Sequence, residues 1–360
     1  MKISGLALGF CLLCAGWFLQ GCATDRPTGR VSRSSEPLET PAISRVNALS
    51  AEMRASILAL NPGQVTDQEV RDLLSKVPAP RIISIHGGIF PIKTGMNSFA
   101  RFLIGVGYPE ASIRHPGNGA YTFGYYDRCD KIAGTVAWYY ERDGLRPMIV
   151  GHSQGGIQAI RVLHKLAGNP APKLALWNPM TQEEENRHEI TDPLTGRSRP
   201  VVGLQVSFAT AAVSGGMARI LPNEWDMNSR LREIPDSVEE FTGFQKGFDL
   251  LGGDYLGYGS ANDYHATGSA RVRNVRLPAT SAHSSIPYIK DLLRDQGVMQ
   301  WIEDYHPNGV DAITSGAELD WGLKNGQVLW AAEVWHSIKK HWVLELQRLI
   351  RAERTDLHGG

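Results

Sequence analysis

From about residue 80 onward, hydrophobic positions alternate between short β-branched runs and stretches with helical spacing. Arg81-Ile82-Ile83-Ser84-Ile85-His86 follows Pro78 and Pro80 and stops at Gly87-Gly88, which predicts a buried strand. Asn97-Ser98-Phe99 opens a helical stretch to about Ile104, closed by Gly105 and Gly107. Ala111 to His115 predicts the next strand, broken by Pro116-Gly117-Asn118-Gly119. Asp127 is positioned to cap a helix reaching about Arg142, with Ile132, Val136, Tyr139 and Tyr140 on one face. Pro147-Met148-Ile149-Val150 predicts a strand, and Ile157, Ile160 and Leu163 mark the helix after it, ending near Leu166. Leu174-Ala175-Leu176-Trp177 and Val272 to Leu277 are further strand candidates. Strands alternating with helices in this way predict an α/β fold with helices covering a mainly parallel sheet.

The N-terminus has a different pattern. Met1-Lys2 precedes an almost unbroken apolar run from Ile3 to Leu19, then Leu19-Gln20-Gly21-Cys22. A short positive start, an apolar centre and small residues at the end read as a secretory signal over residues 1–21. The tetrad resembles the lipobox of bacterial lipoproteins, in which the cysteine is acylated and becomes the mature N-terminus. Gln20 departs from the small or β-branched residue usual there, and an uncleaved helical anchor is the competing reading. The resemblance implies lipid attachment at Cys22 and a membrane partner through that anchor. Ala23, rather than Asp, implies sorting to the outer membrane of a bacterial envelope, facing the periplasm. Residues 22–42 are rich in Ser, Thr, Pro and Arg without apolar periodicity and read as a flexible tether. The folded part is expected to begin near Ile43 and to form one domain over residues 43–360.

Composition narrows the function classes. Lys plus Arg and Asp plus Glu are 37 each, so the formal net charge is zero and a nucleic-acid partner is disfavoured. With 42% hydrophobic residues the chain can bury a sizeable core. Four cysteines are too few for a disulfide scaffold. Cys11 and Cys14 would leave with the signal and Cys22 would carry lipid, so Cys129 remains alone, a small hydrophobe with no assigned chemistry.

Gly151-His152-Ser153-Gln154-Gly155 is the chain's one Gly-x-Ser-x-Gly. An apolar strand leads in and an amphipathic helix leads out. So sharp a turn strains the serine and needs neighbours without a Cβ, and it aims a helix N-terminus at charge developing beside Ser153. With this context the chain resembles the α/β-hydrolases. Gly151-His152-Ser153-Gln154-Gly155-Gly156 is similar to the nucleophile elbow of secreted bacterial lipases, and His86-Gly87-Gly88 resembles their oxyanion-loop motif. The resemblance covers roughly residues 81–287. It implies Ser153 as nucleophile and the backbone N–H groups of Gly88 and Gln154 as oxyanion donors.

A serine needs a histidine base and an acid that orients it. The family order Ser, acid, His implies His283, in the loop Ala279-Thr280-Ser281-Ala282-His283 after the late strand; His265 and His306 are alternatives. His86 reads as a structural residue. The acid is expected within Phe248 to Tyr255, read as the preceding strand and its end. Gly252-Gly253-Asp254 resembles the family's Gly-x-Asp, which favours Asp254 over Asp249, placed inside that strand, and over Asp263. His336 and His341 are poor metal-ligand candidates at five-residue spacing, and no metal or organic cofactor is implied.

Residues 179–237 are expected to form a cap insertion, and residues 296–360 a helical C-terminal extension. Its segment Val328 to Ile350 bears Trp330, Trp335 and Trp342, for packing against the domain rather than lying on a membrane. The expectation is a lipid-anchored serine esterase or lipase acting on small-molecule or lipid esters. An acyltransferase on the same machinery, or a non-catalytic envelope lipoprotein with the hydrolase fold, are the alternatives.

Overall fold

The computed structural model describes residues 40–88, 90–215, 222–249, 251–252, 262–307, 314–315 and 324–358. The expected signal peptide, Cys22 and nearly all of the expected tether lie outside the described residues. In chain order the described strands are β1 (Ile82–His86), β2 (Phe123–Gly124), β3 (Met148–His152), β4 (Leu176–Asn178), β5 (Glu183–Glu185) and β6 (Glu189–Thr191). They continue as β7 (Ser198–Pro200), β8 (Val206–Ala212), β9 (Glu233–Ile234), β10 (Val238–Lys246), β11 (His265–Ala266), β12 (Arg271–Leu277) and β13 (Thr314–Ser315). Seven form one sheet in the order β13-β12-β10-β8-β3-β1-β2, every pair parallel. β4 with β5 and β6 with β7 are antiparallel pairs, and β9 with β11 is a short parallel pair.

Parallel neighbours need crossovers, and helices supply most of them. The described α-helices are α1 (Ala42–Asn47), α2 (Ala51–Ala59), α3 (Asp67–Asp72), α4 (Phe90–Gly105), α5 (Cys129–Asp143), α6 (Gln154–Leu166), α7 (Gln296–Asp304) and α8 (Asn325–His358). Successive strand side chains point to opposite faces. Ile83, Ile85, Ile149, Ala209, Ala211 and Phe241 therefore join the core with α5 and α6. Ile82, Met148, Val150, Phe208, Ala212 and Phe244 join the core with α4 and α8. Helices thus flank both faces, and the α/β class expected from the alternating pattern is the architecture found.

The long α8 is a core element. Trp330 packs 5.0 Å from the Phe99 ring of α4, and Trp342 meets Tyr108 edge-on at 4.8 Å. The Trp342 indole N–H donates to the Pro78 carbonyl at 2.8 Å, and that of Trp335 to Asp67 Oδ1 at 3.2 Å. Gln347 Nε2 donates to the Ile57 and Leu60 carbonyls, both at 3.0 Å. The tryptophan face is therefore spent on tying the N-terminal helices to the sheet. Among the described residues no helix is long and apolar enough to cross a membrane.

Several expected elements differ. The 179–237 region is not one cap: β8 inside it is a fully buried central strand, and the β5–β7 segments before it belong to hairpins. The strand expected at residues 174–177 forms over Leu176–Asn178 as β4, paired in a hairpin instead of the main sheet. Ala111 to His115 begins with a 3-10 turn, and the edge strand is β2 instead. Asp127 does not cap α5; its Oδ2 accepts from the Gly124 N–H at 2.7 Å. The late strand ends at Lys246, before Phe248, because the chain turns through a positive φ of 57° at Phe248.

Arg273 on β12 is buried against Glu333 of α8, whose carboxylate also receives the Tyr305 hydroxyl. Removing one partner of such a pair strands the other charge. Glu333→Ala should lower stability by ~3–5 kcal/mol, read as a fall in urea midpoint at unchanged slope. A loss under about 1 kcal/mol would mean that Arg273 finds water.

Candidate active site

The C-terminal ends of parallel strands form one edge of the sheet, where loops converge. Ser153 follows β3 directly and opens α6, with φ 58° and ψ −129°, a region that non-glycine residues avoid. Its N–H donates to the Ala212 carbonyl at the end of β8 at 2.8 Å, and its carbonyl accepts from Gly156 at 2.9 Å. Backbone crowding explains the glycines. A Cβ on Gly151 would lie 2.5 Å from the Gly155 carbonyl, and one on Gly155 would overlap the Ile85 carbonyl of β1. The turn therefore presses three strands' ends and a helix together, and the serine projects where the partial positive charge of α6 begins.

β12 ends at Leu277, and the following loop delivers His283 on a one-turn 3-10 helix. Its Nε2 lies 2.8 Å from Ser153 Oγ and its Nδ1 2.7 Å from Asp249 Oδ2. With Asp249 ionised, Nδ1–H donates to the carboxylate and Nε2 accepts from the serine hydroxyl. Asp249 is 3% exposed, just past β10, and its Oδ1 accepts from the Leu251 N–H at 3.1 Å. Burial pushes its carboxyl up, but the hydrogen bond and charge of His283 and the Gly252 N–H outweigh that and hold it below the ordinary carboxylate value. Behind this line, His152 Nε2 donates to the His283 carbonyl at 3.0 Å. Burial, and secondarily the nearby His283, lower the His152 imidazole to about 3, so it stays neutral.

The Gly87-Gly88 turn after β1 lies against the elbow: a Cβ on Gly87 would sit 3.2 Å from Ser153 Cβ and 3.3 Å from the Gln154 nitrogen. The Gly88 N–H donates to Gln154 Oε1 at 2.9 Å. The structure thus brings Ser153, His283, Gly88 and Gln154 together. Asp254 lies outside the described residues, and the carboxylate on His283 Nδ1 is Asp249. Asp263 faces away, accepting from Gln245 Nε2 at 2.8 Å. His265 is exposed on β11, and His306 lies beside His336, ring centres 6.3 Å apart. His341 is buried on α8, stacked on Phe208 at 5.6 Å. His86 Nδ1 sits 2.7 Å from the Gly87 carbonyl, a local bond in keeping with a structural residue. Burial raises the Cys129 thiol to about 12, which leaves it unreactive.

A cavity of about 310 Å³ lies at the other end of the strands, lined by Glu240, Arg271, Arg273, His306, His336 and Lys340. Arg271 begins β12, whereas His283 follows its far end, so this cavity is separate from the serine. Its cations are committed: Arg271 to Glu239 at 2.8 Å, Lys340 to Glu240 at 2.5 Å and Arg273 to Glu333. Its described lining has no serine, threonine or cysteine. Among the described residues no group of three or more His, Cys, Asp or Glu is placed to hold a metal ion.

The His152 buttress and the Gln154 side chain on Gly88 were not legible in the sequence, since both depend on distant loops meeting. Asp249 could have been found from the end of the apolar run of β10, where Phe244 gives way to Gln245 and Lys246. Comparison of the chain with models of protein families, with curated proteins and with solved structures finds no match.

His152 gives a pH prediction. Its folded value, about 3, lies below the free value of 6.5, so as pH falls from 6.5 the unfolded chain takes up the proton first and stability is lost. One such histidine contributes a slope of about 1.4 kcal/mol per pH unit in that window. His152→Asn should remove that much of the slope in urea midpoints between pH 6.5 and 4, leaving the share of His115 and His336, both lowered to about 4. An unaltered slope would show that His152 titrates normally.

Proposed function

We propose that the chain is a serine hydrolase of α/β-hydrolase type that cleaves carboxylic esters through an acyl-enzyme intermediate. The observation that carries this reading is His283 bridging Ser153 Oγ at 2.8 Å and Asp249 Oδ2 at 2.7 Å. The order Ser153, Asp249, His283 along the chain, and the strained serine between strand and helix, support the α/β-hydrolase assignment.

In this mechanism Ser153 Oγ attacks the ester carbonyl carbon while His283 Nε2 takes the hydroxyl proton. Asp249, ionised, stabilises the imidazolium and fixes its tautomer. The carbonyl oxygen becomes an oxyanion held by the N–H groups of Gly88 and Gln154, each donor worth a few kcal/mol. His283 returns the proton to the departing alcohol as the tetrahedral adduct collapses. Water then repeats the sequence on the acyl-serine, releasing the acid and restoring the Ser153 hydroxyl. Exposed apolar side chains lie one or two residues from Asp249 and beside Gly88. Phe248 (71% exposed) and Leu251 flank Asp249, and the Tyr126 hydroxyl would lie 3.1 Å from a Cβ on Gly88. Such a rim favours an ester with an apolar acyl or alcohol part. Anchoring at Cys22 in the bacterial envelope completes the proposal and rests on the lipobox-like sequence alone.

A fluorophosphonate probe should label wild type and spare Ser153→Ala; a folded wild type that resists the probe would favour the non-catalytic scaffold. Asp249→Asn should lower kcat/KM for a small ester by about 10⁴-fold, as loss of the correct tautomer does in such triads. Asp254→Asn should lower it far less, because the carboxylate on His283 Nδ1 is Asp249. The reverse ranking would return the acid role to Asp254.

A further inference from the structure

The Gln154 side chain occupies a donor that the proposed reaction needs. Resting Gly88 N–H is not left to solvent: it is capped at 2.9 Å by Gln154 Oε1, on a side chain only 5% exposed. Gln154 is also the residue whose own backbone N–H stands beside Ser153 at the start of α6. One residue thus contributes a donor through its backbone and an acceptor through its side chain, both directed at the same small space. The Tyr126 hydroxyl also stands beside this turn, 3.1 Å from where a Cβ on Gly88 would sit, and the one hydrogen of the Gly88 N–H is engaged while Oε1 remains on it.

We propose that Gln154 is a latch on the oxyanion hole: its side-chain carbonyl stands in for the substrate oxygen in the resting state and must swing off Gly88 before acyl transfer. The proposal rests on the serine-hydrolase reading and concerns the regulation of that same site. An N–H with one hydrogen serves one strong acceptor at a time. The incoming carbonyl is neutral at first and competes with an amide oxygen of similar basicity that is already in place. Once negative charge develops, the contest changes, because an ionised acceptor forms bonds roughly twice as strong as a neutral one. The latch therefore taxes every productive encounter by the cost of releasing one part-buried hydrogen bond, and it satisfies the half-buried Gly88 N–H when no substrate carbonyl is on it. Only the Gln154 side chain plays this role and leaves the reacting atoms; its backbone N–H stays an oxyanion donor.

Two substitutions separate competition from support. Gln154→Ala removes the side chain, and Gln154→Met keeps its length without the acceptor; both retain the backbone N–H. Each should raise the second-order rate of fluorophosphonate labelling about five- to tenfold, the equivalent of one ordinary hydrogen bond released. Labelling should still vanish when Ser153→Ala is added. Amide hydrogen exchange gives a readout independent of chemistry: the peptide holding Gly88 should exchange faster in both variants, with melting behaviour otherwise intact. Wild type labelling at Ser153 with both variants equal to it or slower would overturn the latch alone, and would make the Gln154 side chain a brace for the Gly88 turn. No labelling of any form would overturn the hydrolase reading, and the latch with it.

Discussion

Ser153 is held in a backbone conformation that costs a non-glycine residue on the order of 1–3 kcal/mol, and the contacts that enforce it also organise the site. The turn closes only because Gly151, Gly155 and Gly156 let the elbow press on the ends of β1 and β8. Its hydrogen bonds to Ala212 and Gly156 fix the serine from both sides. The two cores then lock the sheet edge: α5 and α6 on one face, α4 and α8 on the other. α8 matters here although it is remote from the serine, because its three buried tryptophans hold the layer on which α4 and the N-terminal helices rest.

Around that fixed hydroxyl, burial sets the protonation pattern. Asp249 is almost wholly enclosed yet held below the usual carboxylate value, because its bond to His283 and the Gly252 N–H outweigh desolvation. His152, equally enclosed but with no carboxylate partner, is driven the other way and stays neutral. It can therefore donate to the His283 carbonyl without adding a second positive charge beside the imidazole. The two rings, centres 5.4 Å apart, are thus placed differently: one bridges Ser153 and Asp249, and the other braces the loop that carries it.

The sequence made the strand–turn–helix around Ser153 legible because apolar runs, glycines and helical spacing are local signals. β1, β3 and β12 followed from β-branched runs for the same reason. β8 was hidden within an expected cap: Val206-Ser207-Phe208-Ala209-Thr210-Ala211-Ala212 is rich in small residues, which suits close packing under α6 and gives a weak hydrophobic signal. Asp249 was passed over for Asp254 because the strand was read too far, through a turn made at Phe248 by a positive φ that an aromatic residue does not advertise. The Gln154–Gly88 bond spans 66 positions and the His152–His283 bond 131, and contacts of that range are set by topology.

The central claim is that Ser153 becomes covalently acylated during turnover. Rapid acid quench of the enzyme with a chromogenic acyl ester, followed by peptide mass mapping, tests it most directly. The account predicts an acyl mass on the peptide containing Ser153, present while ester remains and gone after it is consumed. Steady turnover with Ser153 never acylated, or with the acyl group found on another residue, would contradict it.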